Sequence, residues 1–257
     1  MIPPTHPRYR SLLEREKVVE GFRDGYVAVQ GLIAQGRGEC FDYLIGEETQ
    51  PFALEAIRAA AAALLLARHP VLSVNGNVAA LTPGTVVELA EAVPALIEVN
   101  LFYRTREREE KIAEVLRRHG ARRVLGVGDD ASCTIPELFS ERRRVSCEGI
   151  YKADVVLVPL EDGDRTEALR RMGKTVIAVD LNPMSRTARS ASITIVDNVT
   201  RAMPRLVEAV RSMKGLERRE LEEVLRNYNN DKVLASALRH ILRRLEELAD
   251  GLYPGDA

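Results

Sequence analysis

The chain's densest group of chemically useful residues is Asp180-Leu181-Asn182-Pro183, which follows the β-branched run Thr175 to Val179. A carboxylate at the end of such a run lies where nucleotide-binding sheets hold a ribose diol. Directly behind it, Ser185-Arg186-Thr187-Ala188-Arg189-Ser190 offers hydroxyls, backbone N–H groups and guanidinium forks suited to a phosphate. Asp197 and Asn198 end the next apolar run, Ile193 to Val196, and Asp162 and Asp164 follow Val155 to Leu160. Earlier runs end in Asn75-Gly76-Asn77, in Asn100 and in Gly128-Asp129-Asp130. Any one of these residues alone reads better as a turn residue or helix cap, but their recurrence at one kind of position points to a site. Arginines for phosphates, amides for hydroxyl or carboxylate groups, and carboxylates for a ribose or Mg2+ suit positioning and charge stabilisation, which is transferase or ligase chemistry.

Several other chemistries are disfavoured. Gly126 to Ala131 (GVGDDA) is not G-x-G-x-x-G, and G-x-x-x-x-G-K-[ST] does not occur, against a standard dehydrogenase or P-loop enzyme. No Ser-His-Asp or Cys-His arrangement can be read from spacing. Cys40, Cys133 and Cys147 and His6, His69, His119 and His240 lack zinc-ligand spacing, so no metal site is expected. A net charge of −1 in 257 residues gives no field for nucleic acid or an anionic membrane surface. The absence of a long apolar run or a signal-like start predicts a cytoplasmic protein. Only six of the 37 basic residues are lysines, which fits planar anion recognition by arginine or a biased genome equally well.

The elements that must position these groups alternate. Six strand-like runs, Val71–Val74, Leu96–Leu101, Arg123–Val127, Val155–Leu160, Thr175–Val179 and Ile193–Val196, are separated by helical patterns such as Pro83–Ala92 and Arg104–His119. This predicts an α/β fold: a doubly wound, mostly parallel six-stranded Rossmann-like sheet with helical extensions at both ends. Ile135 to Cys147 reads as an irregular helical excursion. Residues 2 to 9 form a proline-rich arm before a helix over Ser11 to Phe22, and Thr49 to Arg68 is an alanine-rich helix buried against the sheet. Gly31, Gly36 and Gly38 interrupt the segment between, where the backbone could approach a ligand or simply turn. After Gly215 come two helices. Leu234, Leu238, Ile241, Leu242, Leu245 and Leu248 stripe the second, which serves either as a docked core helix or as a subunit contact. The expected division is an N-terminal arm and helices over 1–69, a nucleotide-binding core over 70–213 and a C-terminal helical extension over 214–257.

The stretches IPPTHPRYRSLLEREK, QGLIAQGRGECFDYLIGE, SVNGNVAAL, IEVNLFYRT, ADVVLVPLEDGDRTEAL and IAVDLNPMSRTARSASITIVDN, spread over roughly residues 2 to 210, closely resemble the archaeal 4-phosphopantoate--beta-alanine ligases (phosphopantothenate synthetases). The resemblance implies an ATP-dependent ligase of coenzyme A synthesis that joins 4-phosphopantoate to beta-alanine through an acyl adenylate. The products would be 4'-phosphopantothenate, AMP and diphosphate. It also implies a homodimer and ATP as substrate, with Mg2+. Carried over residue by residue, it puts Arg15 and Arg37 on the ATP phosphates and Asp180, Leu181, Asn182, Arg186, Thr187, Asp197 and Asn198 around the nucleotide. Chemistry and placement suggest Asn75, Asn100 and Arg104 for phosphopantoate and His6 and Arg8 for its phosphate. Arg37, Asn100 and Arg104 are the catalytic candidates. Two alternatives stay open: an NAD-dependent dehydrogenase and a non-catalytic nucleotide sensor.

Overall fold

Three helices precede the sheet: α1 (Tyr9–Arg23), α2 (Val29–Ile45) and α3 (Pro51–Leu66). The computed structural model describes residues 2–252. Proline at the start of α3 and its Ala59–Ala63 run make a smooth helix that can lie close to its neighbours, and all five alanines are buried. Next come β1 (Pro70–Val74), α4 (Gly76–Leu81), α5 (Pro83–Ala92), β2 (Leu96–Val99), α6 (Arg106–Arg118) and β3 (Val124–Leu125). A short hairpin follows, β4 (Cys133–Thr134) against β5 (Arg144–Val145), antiparallel, with a 3-10 turn at Glu141–Arg143 between them. The second half runs β6 (Val155–Pro159), α7 (Gly163–Arg171), β7 (Thr175–Val179), α8 (Arg186–Ser190), β8 (Ile193–Ile195), α9 (Val199–Met213), α10 (Arg218–Asn227) and α11 (Asn230–Leu252).

The sheet order is β3-β2-β1-β6-β7-β8 with every pairing parallel, the doubly wound arrangement expected from the alternating pattern. Chain direction across the sheet reverses between β1 and β6, which opens a crevice at their carboxyl ends. β1, β6 and β7 are buried almost throughout, as central parallel strands with helices on both faces must be. One large apolar cluster spans Val18 of α1, the buried face of α3, one face of the strands, α9, and Leu234 and Ala237 of α11, so the terminal helices share the core of the sheet.

Two expectations are corrected. The glycine-bearing segment is continuous helix α2 rather than a turn-rich loop, and of its three glycines Gly31 serves a close approach. A Cβ at Gly31 would lie 2.2 Å from the Asn77 Oδ1, and one at Gly38 would meet Leu181 at 3.5 Å. Burial of α2 against the rim thus outweighs a helix-propensity cost of about 1 kcal/mol per glycine. The excursion from Ile135 to Cys147 is a hairpin with one 3-10 turn, and Cys133 and Cys147 form a disulfide across it. Fourteen residues of separation gave no sequence signal for that bond.

Candidate active site

The site is built where strands end and helices begin. Asn75, one residue past β1, stands at the crevice. Its Nδ2 donates to the carbonyls of Pro159 and Leu160, each at 3.1 Å, and its Oδ1 accepts from Val78 N, capping α4. The Asn100 N–H donates to the Val74 carbonyl at 2.9 Å, which places the two asparagines side by side across β1 and β2.

On the β7–β8 side, a local network shapes the rim. Asp180 Oδ1 accepts from Asn182 N at 2.9 Å, and the Ser185 hydroxyl donates to its other oxygen while accepting from Ala188 N to cap α8. Burial pushes the Asp180 carboxyl up from its ordinary value, against those hydrogen bonds and the nearby positive charge of Arg37. Thr187 Oγ1 donates to the Glu161 carbonyl at 2.8 Å, tying the start of α8 to the end of β6. Arg186 points outward and pairs with Glu167 at 2.9 Å. Leu181 packs with Ile45 of α2 and Ile241 of α11, so both terminal segments cover this rim.

Asp197 and Asn198 are more deeply engaged than their spacing implied. Asp197 accepts from Thr49 Oγ1 at 2.6 Å and from Arg201 Nε at 2.9 Å. Asn198 caps α9 through Thr200 N, and its Nδ2 donates to Glu14 at 3.0 Å and Asp42 at 2.9 Å. Arg201 bridges Asp42 and Asp197 at 2.5 and 2.7 Å. Sequence reasoning missed Glu14, Asp42, Thr49 and Arg201; only the i, i+4 spacing of Asp197 and Arg201 could have pointed there.

The N-terminal arm brings Arg8 and Arg15 together on one carboxylate. Arg8 Nη2 lies 2.7 Å and Arg15 Nη2 2.6 Å from Glu39, which also accepts from the Tyr43 hydroxyl at 2.7 Å. Burial opposes the Glu39 charge, yet the donors Tyr43, Arg15 and Arg8 prevail and hold its carboxyl below the usual range. Both arginine side chains keep 42% of their surface exposed, so a ligand could reach them from outside. His6 accepts from Arg8 N at 3.0 Å, which orders the arm. Arg37, on α2 one half-turn before Glu39, is exposed.

Asn100 and Arg104 lie together under the β4–β5 hairpin. Asn100 is fully buried and its Nδ2 donates to the carbonyls of Arg142 and Arg144, at 3.1 and 3.2 Å. Its Oδ1 is buried without a partner among the described residues, leaving an acceptor for a donor from outside the chain. The Arg104 side chain is only 3% exposed; it donates to the carbonyls of Arg144 and Gly126 and pairs with Glu109. All of its charge is therefore directed at protein groups, as in a positioning residue.

Beneath them, Glu98 is fully buried and accepts from Ser146 N at 3.0 Å and Ile150 N at 2.6 Å. Burial pushes its carboxyl up to about 7, against those amides. A further cluster escaped the sequence reading. Arg142, reaching from the hairpin, pairs with Glu161 at 3.0 Å and Asp162 at 2.6 Å, and the fully buried Arg165 pairs with the same Glu161. Glu161 and Arg165 are spaced i, i+4, a legible pair; nothing local marks Arg142 as their partner.

The structure thus gathers Arg37, Asp180, Leu181, Asn182, Asp197 and Asn198 along α2, β7 and β8, whereas Arg186 turns away to Glu167 and Arg15 stays on α1 against Glu39. It sets Asn75 and Asn100 in the crevice and keeps His6 and Arg8 on the arm beside Arg15. Structural need accounts for more of the recurrent acids and amides than their repetition suggested, since Asn75, Asn198 and Asp180 each hold local backbone. Among the described residues no group of three or more His, Cys, Asp or Glu side chains is placed to hold a metal ion, and no helix is long and apolar enough to cross a membrane.

Comparison with known proteins fits this architecture. The family model for phosphopantothenate/pantothenate synthetase matches residues 52–244. The chain is 58% identical to the 4-phosphopantoate--beta-alanine ligase of Thermococcus kodakarensis, over 97% of this chain and 95% of the relative. It is 56% identical to the Methanosarcina mazei ligase of the same name, over 96% and 97%. The ligase of that name from Methanospirillum hungatei is 47% identical over 97% of this chain and all of the relative. Neither a dehydrogenase nor a nucleotide sensor appears among these relatives. At that identity, over nearly the full length of both partners, the chain belongs to the phosphopantothenate/pantothenate synthetase family.

Proposed function

We propose that this chain is an ATP-dependent ligase that condenses (R)-4-phosphopantoate with beta-alanine to 4'-phosphopantothenate in archaeal coenzyme A biosynthesis. The pantoate carboxylate attacks the α-phosphorus of ATP and diphosphate leaves. The beta-alanine amine then attacks the acyl carbon and AMP leaves, carrying the C–O electron pair. No protein nucleophile is needed, so the chain's work is alignment and neutralisation of developing charge. In this reading Asp180, Leu181 and Asn182 receive the nucleoside, and Arg15 and Arg37 face its phosphates, with Arg186, Thr187, Asp197 and Asn198 framing that rim. Asn75, Asn100 and Arg104 receive or position the acid, and His6 and Arg8 take its phosphate.

The observation that carries the reading is a polar crevice at the reversal between β1 and β6, holding Asn75 and Asn100, on a chain that also exposes Arg37 near Asp180 and leaves Arg8 and Arg15 partly exposed on Glu39. Such a layout suits two anionic substrates better than one dinucleotide. Mg2+ would enter on the nucleotide's phosphates, since the acidic groups near the crevice are tied to arginines and backbone amides. A second copy of the chain is proposed to cover the far half of α11, where Leu242, Leu245 and Leu248 stand exposed. The cytoplasm is the proposed compartment.

The test is release of AMP and diphosphate from ATP and Mg2+, with 4-phosphopantoate and beta-alanine supplied separately and together. Release that requires the phosphorylated acid supports the ligase. If the full mixture releases no AMP while ATP still binds, the sensor reading replaces it.

A further inference from the structure

The β4–β5 hairpin has two-residue strands, too short to hold its place through its own ladder. Yet three parts of the crevice lean on it. Its Arg142 and Arg144 carbonyls receive the Asn100 amide, and the Arg144 carbonyl also receives Arg104. The Arg142 guanidinium reaches Glu161 and Asp162 at the end of β6. Ser146, just past β5, donates through its N–H to Glu98 and through its hydroxyl to Asp130 at 3.2 Å. One covalent tie joins the two sides of this hairpin: Cys133 lies on β4 and Cys147 next to Ser146. Cys147 is exposed and Cys133 half-buried, so a small thiol can reach the bond.

We propose that the Cys133–Cys147 disulfide is a thiol-sensitive positioning element of the active site, acting through the hairpin on Asn100, Arg104 and Arg142. A dithiol reductant converts the bond to two thiols: each sulfur gains one electron and one proton, and the dithiol loses two of each as it closes to its own disulfide. A small-molecule disulfide reverses the exchange through a mixed disulfide. With the tie open, the carbonyls of Arg142 and Arg144 lose their fixed distance from Asn100 and Arg104. Among the described residues the nucleotide rim on β7 and β8 shares no direct hydrogen bond with the hairpin. They meet only through Glu161, whose carboxylate holds Arg142 while its carbonyl, fixed by the main chain, holds Thr187, so the rim is expected to keep its geometry. In the compartment proposed above, such a bond would follow the thiol pool rather than stay permanently oxidised.

The kinetic readout rests on the ligase reading, so a second readout independent of activity accompanies it. The full chain carries Cys40→Ser throughout, which removes its exposed free thiol. Dithiothreitol is expected to lower kcat/KM for 4-phosphopantoate by about tenfold or more, given the sensitivity of aligned reactions to small displacements. Oxidised glutathione restores it, and the Kd for ATP stays unchanged. Adding Cys133→Ser with Cys147→Ser fixes the enzyme in the low state, indifferent to dithiothreitol. Amide exchange at Ser146 and Ile150 quickens on reduction, while β7 and β8 stay protected. Unaltered kinetics and exchange after reduction overturn the proposal, as does a lower Tm with normal kinetics, which makes the bond a plain staple. Free thiols at 133 and 147 in the unreduced protein overturn it too. An oxidised chain that releases no AMP defeats the ligase reading alone, and the exchange measurement then decides this one.

Discussion

Two residues put the electrostatic argument at risk. Arg37 is exposed and sits close enough to Asp180 to favour its charge, so it can meet a phosphate without first leaving a salt bridge. Arg37→Ala is expected to reduce kcat by about 10²- to 10³-fold, the usual consequence of losing one charge-stabilising donor. Its circular dichroism and Tm should hold, because little is packed on the side chain; normal turnover would remove Arg37 from the mechanism. Glu98 tests burial. Its folded value of about 7 lies above its ordinary 4.5, so the folded chain binds that proton more tightly than the unfolded chain. The stability it contributes is therefore fully present below about 4.5 and is lost as pH rises through about 7, on the order of 3 kcal/mol in all. Glu98→Gln should flatten this part of the Tm profile, measured by thermal denaturation in a series of buffers. Parallel profiles for both proteins would assign the slope elsewhere.

Helix α2 shows how an element can defy its composition. Three glycines in seventeen residues weaken an isolated helix, but Gly31 lets it lie against Asn77. Gly36 meets nothing within 4 Å. Gly36→Ala should then stabilise the protein by about 1 kcal/mol through helix propensity, whereas Gly31→Ala should destabilise it, since its Cβ falls 2.2 Å from the Asn77 oxygen. Urea denaturation of both variants distinguishes this from a loop-like α2, for which both changes would behave alike. The six sheet strands and the helices α3, α5 and α6 were legible because β-branched runs, periodicity and end signals are local. The hairpin was not: its strands are two residues each, and its ties to Asn100 and Glu98 run across more than forty residues.

For the whole molecule, α11 is divided. Val233, Leu234, Ala237 and Ile241 dock on the body, while Leu242, Leu245, Leu248 and Leu252 stand exposed. The stripe read from the sequence is therefore part core and part open face. If a second copy covers the open part, Leu245→Glu combined with Leu248→Glu should convert a dimer to a monomer in sedimentation equilibrium while α11 stays helical. A wild-type monomer at micromolar concentration would refute the proposed contact.

The sequence by itself determined the alternating elements, the parallel sheet and the acidic and amide edge, since these follow from period, turn chemistry and chain order over a few residues. It also carried the family resemblance. Only the tertiary structure decided which groups face one another. Asp197 meets Thr49 across 148 positions, Asn198 meets Glu14 across 184 and Arg201 meets Asp42 across 159. Arg104 likewise proves to be a buried strut rather than an open cation. Those outcomes depend on how whole helices pack against the ends of the strands. Packing is a sum over many distant contacts, and no short stretch of chain encodes it.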